Sequence, residues 1–178
     1  MSNGRLGSQV REKSTKKGEF PGMEQLAIYL AGPLFSQSDR VANRIYARML
    51  TERGYTVILP QDEANLFMGP DGLDARGVAE HCYLQSTGCD VMVANVDGAD
   101  SDSGTSMEIG LRIGHMRALG RTPKVICIRT DFRGSEDGHL NIMFRLADKF
   151  VYVPSFDEDP AHLIDAIDEA IRQLNNPM

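Results

Sequence analysis

Several features that define whole classes of protein are missing from this 178-residue sequence. The three cysteines, Cys82, Cys89 and Cys127, are odd in number and show no CxxC spacing. They predict reduced thiols in a cytoplasmic protein rather than a disulfide framework. No apolar run approaches the ~20 residues that span a bilayer, and the first residues lack the apolar stretch of a secretory signal. We therefore expect no membrane partner.

Positive charge is also scarce. The chain has 19 Lys and Arg against 25 Asp and Glu, a net charge of −6 at pH 7. This balance argues against the broad basic surface of a nucleic-acid binder. The hydrophobic share of 42% and the charged share of 25% are typical of a globular protein. A chain of this length can bury a core without a disulfide or metal.

The sequence patterns of common phosphate and metal sites are absent as well. There is neither a GxGxxG after a strand nor a GxxxxGK[ST], so nothing indicates a dinucleotide or P-loop site. The zinc motif HExxH is missing, and the four histidines do not pair at ligand spacing. We therefore expect neither an organic cofactor nor a metal.

The first 23 residues differ in composition from the rest. They carry five basic and two acidic residues, whereas the remainder carries 14 basic and 23 acidic. Gly, Ser and Lys dominate this tail, and only Leu6, Val10 and Phe20 could anchor it. The composition predicts a disordered basic tail at 1–23, followed by one domain at 24–178. An arm that wraps a neighbouring subunit or a polyanion is the alternative.

Short apolar runs then alternate with amphipathic segments. Strands are predicted at 26–31, 55–59, 90–96, 124–128 and 150–153. Helices are predicted at about 36–53, capped by Ser36 or Ser38, at 74–87, at 104–119 and from Pro160 onward, with 68–73 as a loop. The pattern predicts an α/β fold, a flavodoxin-like, doubly wound, five-stranded parallel sheet with helices on both faces.

Ligands of such sheets bind beyond the carboxyl ends of the strands. The third strand is followed by Asp97-Gly-Ala-Asp-Ser-Asp-Ser-Gly-Thr-Ser-Met-Glu-Ile-Gly110, which holds four carboxylates before and within a helix start. Asp102 or Ser103 can cap this helix, and its first backbone N–H groups could bind a ligand. The helix dipole favours an ionised Glu108, as a carboxylate nucleophile requires. Alternatively, Asp102 is only a cap and Glu108 pairs with Arg112 four residues on.

Two motifs together resemble the nucleoside 2-deoxyribosyltransferase family. They are Ile28-Tyr-Leu-Ala-Gly-Pro-Leu-Phe35 in and after the first strand, and Asp102-Ser-Gly-Thr-Ser-Met-Glu-Ile-Gly110 after the third. Leu140-Asn-Ile-Met143 lies downstream, and the likeness extends over roughly 26–153. In that family a glutamate attacks C1′ of a deoxynucleoside, releases the base and holds the sugar until a second base arrives. The resemblance implies nucleosides and free nucleobases as substrates.

The resemblance also implies roles for individual residues. Glu108 corresponds to the nucleophile, Tyr29 to the tyrosine that orients it, and Asp102 to the aspartate that binds sugar hydroxyls. Asn141 corresponds to an asparagine presented by a neighbouring subunit, which implies a homo-oligomer with shared sites. As structural alternatives, Tyr29 is a strand aromatic and Asn141 a cap. The remaining candidate substrate-binding residues are Gly32, Pro33, Phe35, Asp62, Ser103 and Gly104.

One position departs from the family pattern. The family commonly places an aspartate eight residues before the aspartate that opens the third strand, where it donates a proton to the departing base. Counting back from Asp90 gives Cys82. A thiol with a pKa near ~8.5 is a weak general acid at neutral pH. Glu80 or His81 could donate the proton instead, or it comes from elsewhere.

Two other functions stay open. A hydrolase of the same superfamily would cleave nucleosides or their 5′-monophosphates, although phosphate-preferring relatives tend to carry a polar loop after the first strand. Here that loop begins with Pro33-Leu34-Phe35, and Ser36, Ser38 and Arg40 follow closely. A non-catalytic nucleoside-binding module is the second alternative. The polar segment at 129–139 is interpreted as a mobile loop near the site.

Overall fold

A computed structural model describes residues 25–133, 141–154 and 159–176. The predicted tail at 1–23 and most of the predicted mobile loop, from residue 134 onward, lie outside the described residues. In chain order the elements are β1 (Ala27–Ala31), α1 (Gln37–Glu52), β2 (Thr56–Ile58), α2 (Pro60–Glu63), β3 (Met68–Gly69), β4 (Gly72–Leu73), α3 (Ala75–Gly88), β5 (Val91–Asn95), α4 (Ser103–Ala118), β6 (Val125–Arg129), β7 (Lys149–Tyr152) and α5 (Ala161–Asn175). Short 3₁₀ helices lie at Ala64–Phe67 and Ile142–Leu146.

Five of the strands form one parallel sheet in the order β2-β1-β5-β6-β7. The chain first moves outward from β1 to β2, and then crosses to β5 on the other side of β1. The winding therefore reverses between β1 and β5, which is where a doubly wound sheet binds its ligands. The predicted flavodoxin-like α/β fold is confirmed.

The two faces of the sheet bury separate cores, because successive side chains on a strand point to opposite faces. Ile28 and Leu30 of β1 join the core that α5 covers with Leu163, Ile164 and Ile167. Tyr29 of β1 joins the opposite core, to which α4 contributes Ile109 and Ile113. This alternation places Tyr29 on the α4 side of the sheet.

The start of α1 follows directly from local sequence. The Ser36 hydroxyl accepts a 3.0 Å hydrogen bond from the Asp39 N–H, while the Asp39 carboxylate accepts one from the Ser36 N–H at 3.1 Å. This capping box satisfies two backbone donors that the helix leaves unpaired. Of the two serines predicted as caps, Ser36 takes this position.

The loop predicted at 68–73 contains a small hairpin instead. The two-residue strands β3 and β4 pair antiparallel, Met68 with Leu73 and Gly69 with Gly72. Gly72 has φ +105°, a backbone conformation that favours glycine. Strands of two residues are too short to show the alternation that predicts a strand. Among the described residues, none of the helices is both long and apolar enough for a membrane crossing.

Candidate active site

Two elements bring Tyr29 and Glu108 into direct contact. The middle of β1 carries Tyr29, which is buried, and the second turn of α4 carries Glu108, which is half-buried. The Tyr29 hydroxyl donates a 2.7 Å hydrogen bond to Glu108 Oε1. Because a central strand and a long helix hold the two residues, their geometry is fixed by the fold.

The i,i+4 pairing of Glu108 with Arg112 does not form, so that alternative was wrong. Arg112 is fully buried, and its guanidinium lies at the C-terminal end of α3. Its guanidinium donates to four backbone carbonyls, those of Ser86 at 2.7 Å, Cys89 at 3.1 Å, Asp90 at 3.0 Å and Pro123 at 2.6 Å. Arg112 therefore ties α4 to the end of α3, and in the part of the chain that the structure describes no cation pairs with the Glu108 carboxylate.

Asp102 is the N-cap of α4, as the cap interpretation of this residue predicts. Its Oδ2 accepts hydrogen bonds from the Thr105 N–H at 2.9 Å and the Thr105 hydroxyl at 3.1 Å. Among the described residues, Oδ1 of Asp102 has no partner, so one oxygen stays open to a ligand. Ser103 and Gly104 lie exposed in the first turn beside it. A Cβ at Gly104 would stand 3.1 Å from Asp102 Oδ2.

Partial burial sets the electrostatics of the pair. Loss of water raises the pKa of Glu108; the Tyr29 hydrogen bond opposes this shift, and the charge of Asp102 adds to it. Burial and then the charge of Glu108 raise the pKa of Tyr29 far above its usual value. Tyr29 therefore stays a neutral donor, and it stabilises the ionised form of Glu108.

Asp97, the first carboxylate of the acidic segment, has a structural role. It accepts hydrogen bonds from the Thr130 N–H at 2.6 Å, the Thr130 hydroxyl at 2.7 Å and the Asp131 N–H at 2.8 Å. It thereby joins the loop after β5 to the loop after β6. Of the four carboxylates, the structure brings Glu108 and Asp102 together.

The three candidate proton donors on α3 differ in their surroundings. Glu80 is exposed and bound to Arg76 at 2.8 Å, so it does not face the Tyr29–Glu108 pair. Cys82 is half-buried and lies close enough to Tyr29 and Glu108 to interact with both. Burial raises the pKa of the Cys82 thiol, and the charge of Glu108 adds to that rise. Cys82 therefore stays protonated at neutral pH.

His81 has a partner that sequence reasoning missed. Its Nε2 lies 2.5 Å from Oε2 of Glu63, the last residue of α2. The Phe67 ring packs at 5.2 Å from the imidazole. The signal that could have found Glu63 is its position, shortly after β2, at the sheet edge where ligands bind.

The Gly32–Phe35 segment after β1 is tightly packed at one end and open at the other. A Cβ on Gly32 would stand 3.3 Å from Asn95 Cβ and 3.4 Å from Asn43 Oδ1. The Pro33 carbonyl accepts a 2.9 Å hydrogen bond from the Asn43 amide. The side chain of Phe35, in contrast, is 80% exposed. Phe35 is thus available to contact a ligand or another chain.

Asp62 and Asn141 are both engaged in local contacts. Asp62 forms a two-pronged ion pair with Arg44 of α1, at 2.9 Å and 2.5 Å, on an exposed surface. Asn141 is exposed and caps the 3₁₀ helix that follows it, because its side chain accepts the Met143 N–H at 3.0 Å. The cap interpretation of Asn141 is therefore confirmed. Among the described residues, no three His, Cys, Asp or Glu side chains cluster as metal ligands would.

Several solved structures share this fold. A conserved protein from Enterococcus faecalis matches with a TM-score of 0.63 and 24% identity, over 82% of this chain and 99% of that one. A 2-deoxyribosyltransferase from Bacillus psychrosaccharolyticus matches with a TM-score of 0.56 and 21% identity, over 78% and 90%. A CMP N-glycosidase from Clostridium botulinum matches with a TM-score of 0.50 and 17% identity, over 80% and 98%.

Sequence comparison is more specific than the shared fold. A search among curated proteins finds no match. The sequence profile described as nucleoside 2-deoxyribosyltransferase, however, matches residues 28–171, from β1 into α5. That range includes both motifs and the contact between Tyr29 and Glu108. The chain therefore belongs to the nucleoside 2-deoxyribosyltransferase family.

Proposed function

We propose that the protein transfers 2-deoxyribose from one nucleobase to another, with Glu108 as the nucleophile and net retention at C1′. The observation that carries this proposal is the 2.7 Å hydrogen bond between Tyr29 and Glu108. A half-buried carboxylate that receives a hydrogen bond from a neutral donor is suited to attack an electrophilic carbon. An ordinary structural glutamate would instead be expected in an ion pair or at the surface.

The chemistry follows from the charge that develops at the sugar. As the bond between C1′ and the base nitrogen breaks, C1′ gains oxocarbenium character, which the Glu108 carboxylate stabilises and then captures. The carboxylate oxygen that Tyr29 leaves free forms the ester. A second base then attacks C1′ from the opposite side, so two inversions give net retention. Deoxyribose has no 2′-hydroxyl, and this makes its cation less costly to form.

The other candidate residues would hold the substrate around this centre. Asp102 Oδ1, which does not take part in the cap, can accept hydrogen bonds from sugar hydroxyls, and Ser103 and Gly104 are exposed beside it. Gly32, Pro33 and Phe35 would form one wall of the pocket. Asp62, which forms an ion pair with Arg44, would lie near the base. We also propose that the protein works in a reducing, cytoplasmic compartment, since Cys82, Cys89 and Cys127 are free thiols.

The residues after Phe35 favour nucleosides over 5′-monophosphates. Arg40 donates to the backbone carbonyls of Leu34 at 3.0 Å and Phe35 at 2.9 Å. Ser36 caps α1, and its hydroxyl lies 2.8 Å from that of Ser38. Arg40 Nη1 and the Ser36 hydroxyl are thus engaged within the fold rather than held ready for a phosphate. Hydrolysis is the second candidate activity, since the fold is also that of a CMP N-glycosidase.

Product analysis separates these functions. Deoxyinosine and free cytosine are supplied to the parent protein, to Glu108→Ala and to Glu169→Ala, an exposed carboxylate on α5 across the sheet. A transferase forms deoxycytidine, with the activity lost only in Glu108→Ala. Free deoxyribose formed without an acceptor base would assign a hydrolase. Nucleoside binding by calorimetry without any product would assign a binding module.

A further inference from the structure

Departure of a neutral nucleobase requires a proton, because the base nitrogen receives the electron pair of the broken bond. We propose that Glu63 and His81 form the acid–base pair that protonates the departing base and deprotonates the incoming one. This inference rests on the proposed function. It assigns roles to Glu63 and His81, which both lie outside the two sequence motifs. It is carried by the arrangement of α2 and α3 around Cys82.

The geometry of the pair is that of an oriented imidazole. The distance from His81 Nε2 to Glu63 Oε2 is 2.5 Å, and both side chains are about 30% exposed, at 28% and 30%. Phe67, the last residue of the 3₁₀ helix that follows α2, packs against the imidazole ring, with ring centroids 5.2 Å apart. Among the described residues, His81 Nδ1 has no hydrogen-bond partner. One ring nitrogen is thus held by a carboxylate while the other is left for a substrate.

The helix that carries His81, α3, packs against both β1 and α4, which carry Tyr29 and Glu108. Cys82 adjoins His81 in sequence, and its thiol interacts electrostatically with both Glu63 and Glu108. Glu63, the last residue of α2, and Glu108 of α4 thus act electrostatically on the same thiol. In this proposal, a nucleoside whose C1′ meets Glu108 directs its base toward His81.

The neighbouring groups are less suited to the task. Burial raises the pKa of Cys82, so its thiol gives up a proton reluctantly. Glu80 is exposed and paired with Arg76 on the outer side of α3. Gln85, whose amide lies 3.5 Å from His81 Nε2, has no proton that it can release. His81 and Glu63 remain as a hydrogen-bonded pair of titratable groups that can pass a proton to a base.

The proton balance is simple. In the first half-reaction the C1′–N bond breaks, a C1′–O bond to Glu108 forms, and the proton of His81 Nδ1 moves to the base nitrogen. Glu63 stabilises the imidazolium before that step. In the second half-reaction the incoming base loses its proton to His81 as its nitrogen displaces the Glu108 carboxylate from C1′.

The test compares two leaving groups that differ in their need for a proton. Deoxyinosine requires protonation, whereas the base of 7-methyl-2′-deoxyguanosine already carries a positive charge. Base release is measured for the parent, Glu63→Gln and His81→Gln, with Glu169→Gln and His162→Gln on α5 as exposed controls. We expect the two site variants to lose about 100-fold or more with deoxyinosine and only a few-fold with the methylated substrate. The controls keep both rates.

Activity on 7-methyl-2′-deoxyguanosine reports the folded, competent fraction of each variant, so a folding defect is visible within the experiment. An equal loss on both substrates would overturn the acid–base role and leave Glu63 and His81 as structural residues. Unchanged rates on both would overturn it as well. If the parent releases no base from either substrate, or if Glu108→Ala releases it as fast as the parent, the proposed function fails, and this inference fails with it.

Discussion

At the residue scale, two opposing effects act on the charge of Glu108, the proposed nucleophile. Its partial burial disfavours the charged carboxylate, while the hydrogen bond from Tyr29 favours it. Tyr29 itself is buried and stays protonated. An ionised carboxylate in this environment is poorly solvated, which keeps the oxygen that Tyr29 does not bind available for the proposed attack. Changes at either residue should therefore appear in the pH dependence.

The variant Tyr29→Phe tests the favourable effect. Without the hydroxyl, the ionised form of Glu108 loses its donor, so the pKa of Glu108 rises further. Since only the ionised form attacks, we expect the acid limb of the rate profile to move to higher pH as the rate falls. The control is Tyr55→Phe, whose hydroxyl bonds Asp168 at α5. A limb that moves to lower pH, or stays in place, contradicts the account.

The variant Glu108→Gln tests whether partial burial of the Glu108 charge destabilises the folded protein. Burial raises the pKa of Glu108 in the folded protein above its value in the unfolded chain. Protonation of Glu108 therefore stabilises the folded protein; this stabilisation is fully present below the unfolded pKa and is lost as pH rises through the folded pKa. Replacing the charge with a neutral amide should raise Tm at neutral pH. This gain should vanish in acid, where the parent is also neutral. Calorimetry that shows a lower Tm at neutral pH would refute the burial argument, with exposed Glu169→Gln as the control.

At the scale of secondary structure, α4 determines where Glu108 points. Asp102 fixes the start of the helix, and Arg112 fixes its far half through bonds to backbone carbonyls. These contacts leave little freedom to rotate the helix about its axis. The direction of Glu108 toward Tyr29 therefore depends on the cap at Asp102 and on the buried bonds of Arg112.

The variant Arg112→Met should destabilise the protein strongly. It leaves buried carbonyls without a donor, and we expect a loss on the order of 3 kcal/mol or more in the free energy of unfolding. Urea denaturation measures this loss. Arg117→Met, an exposed change on the same helix, should stay within about 0.5 kcal/mol of the parent. Equal stabilities of the two variants would show that the buried bonds contribute little.

Elements with a clear periodicity were predictable from sequence, and short ones were not. The five strands of the sheet were each predicted to within one or two residues, because continuous apolar runs are typical of buried parallel strands. Helix α2 and the 3₁₀ helix at Ile142–Leu146 have four and five residues, too few for a hydrophobic repeat. The partners of Arg112 were not predictable, because its carbonyl acceptors carry no side-chain signal. The pairing of Glu63 with His81 likewise depends on tertiary packing.

At the scale of the whole molecule, exposed apolar side chains favour self-association. Phe35, Ile142 and Met143 are all more than half exposed, at 80%, 61% and 65%. Phe35 lies three residues after Gly32, and Ile142 and Met143 directly follow Asn141. Exposed apolar patches are typical of interaction surfaces. We propose a homo-oligomer in which Asn141 serves the neighbouring subunit's site.

Subunit mixing tests this arrangement. Glu108→Ala and Asn141→Ala should each be nearly inactive alone. If sites are shared, mixed oligomers contain some sites with Glu108 from one subunit and Asn141 from another, about a quarter of all sites for random pairing in a closed oligomer. Transfer activity should therefore return after the two variants are unfolded together and refolded. A monomeric parent in light scattering, or mixed oligomers without activity, would contradict shared sites.

The most direct test of the central claim is mass spectrometry of the protein quenched in acid after mixing with a deoxynucleoside and no acceptor base. We predict one deoxyribosyl group on the parent, located by peptide fragmentation at Glu108 and absent from Glu108→Gln. Sugar attached to a different residue would contradict the account, as would base release at the parent's full rate by Glu108→Gln.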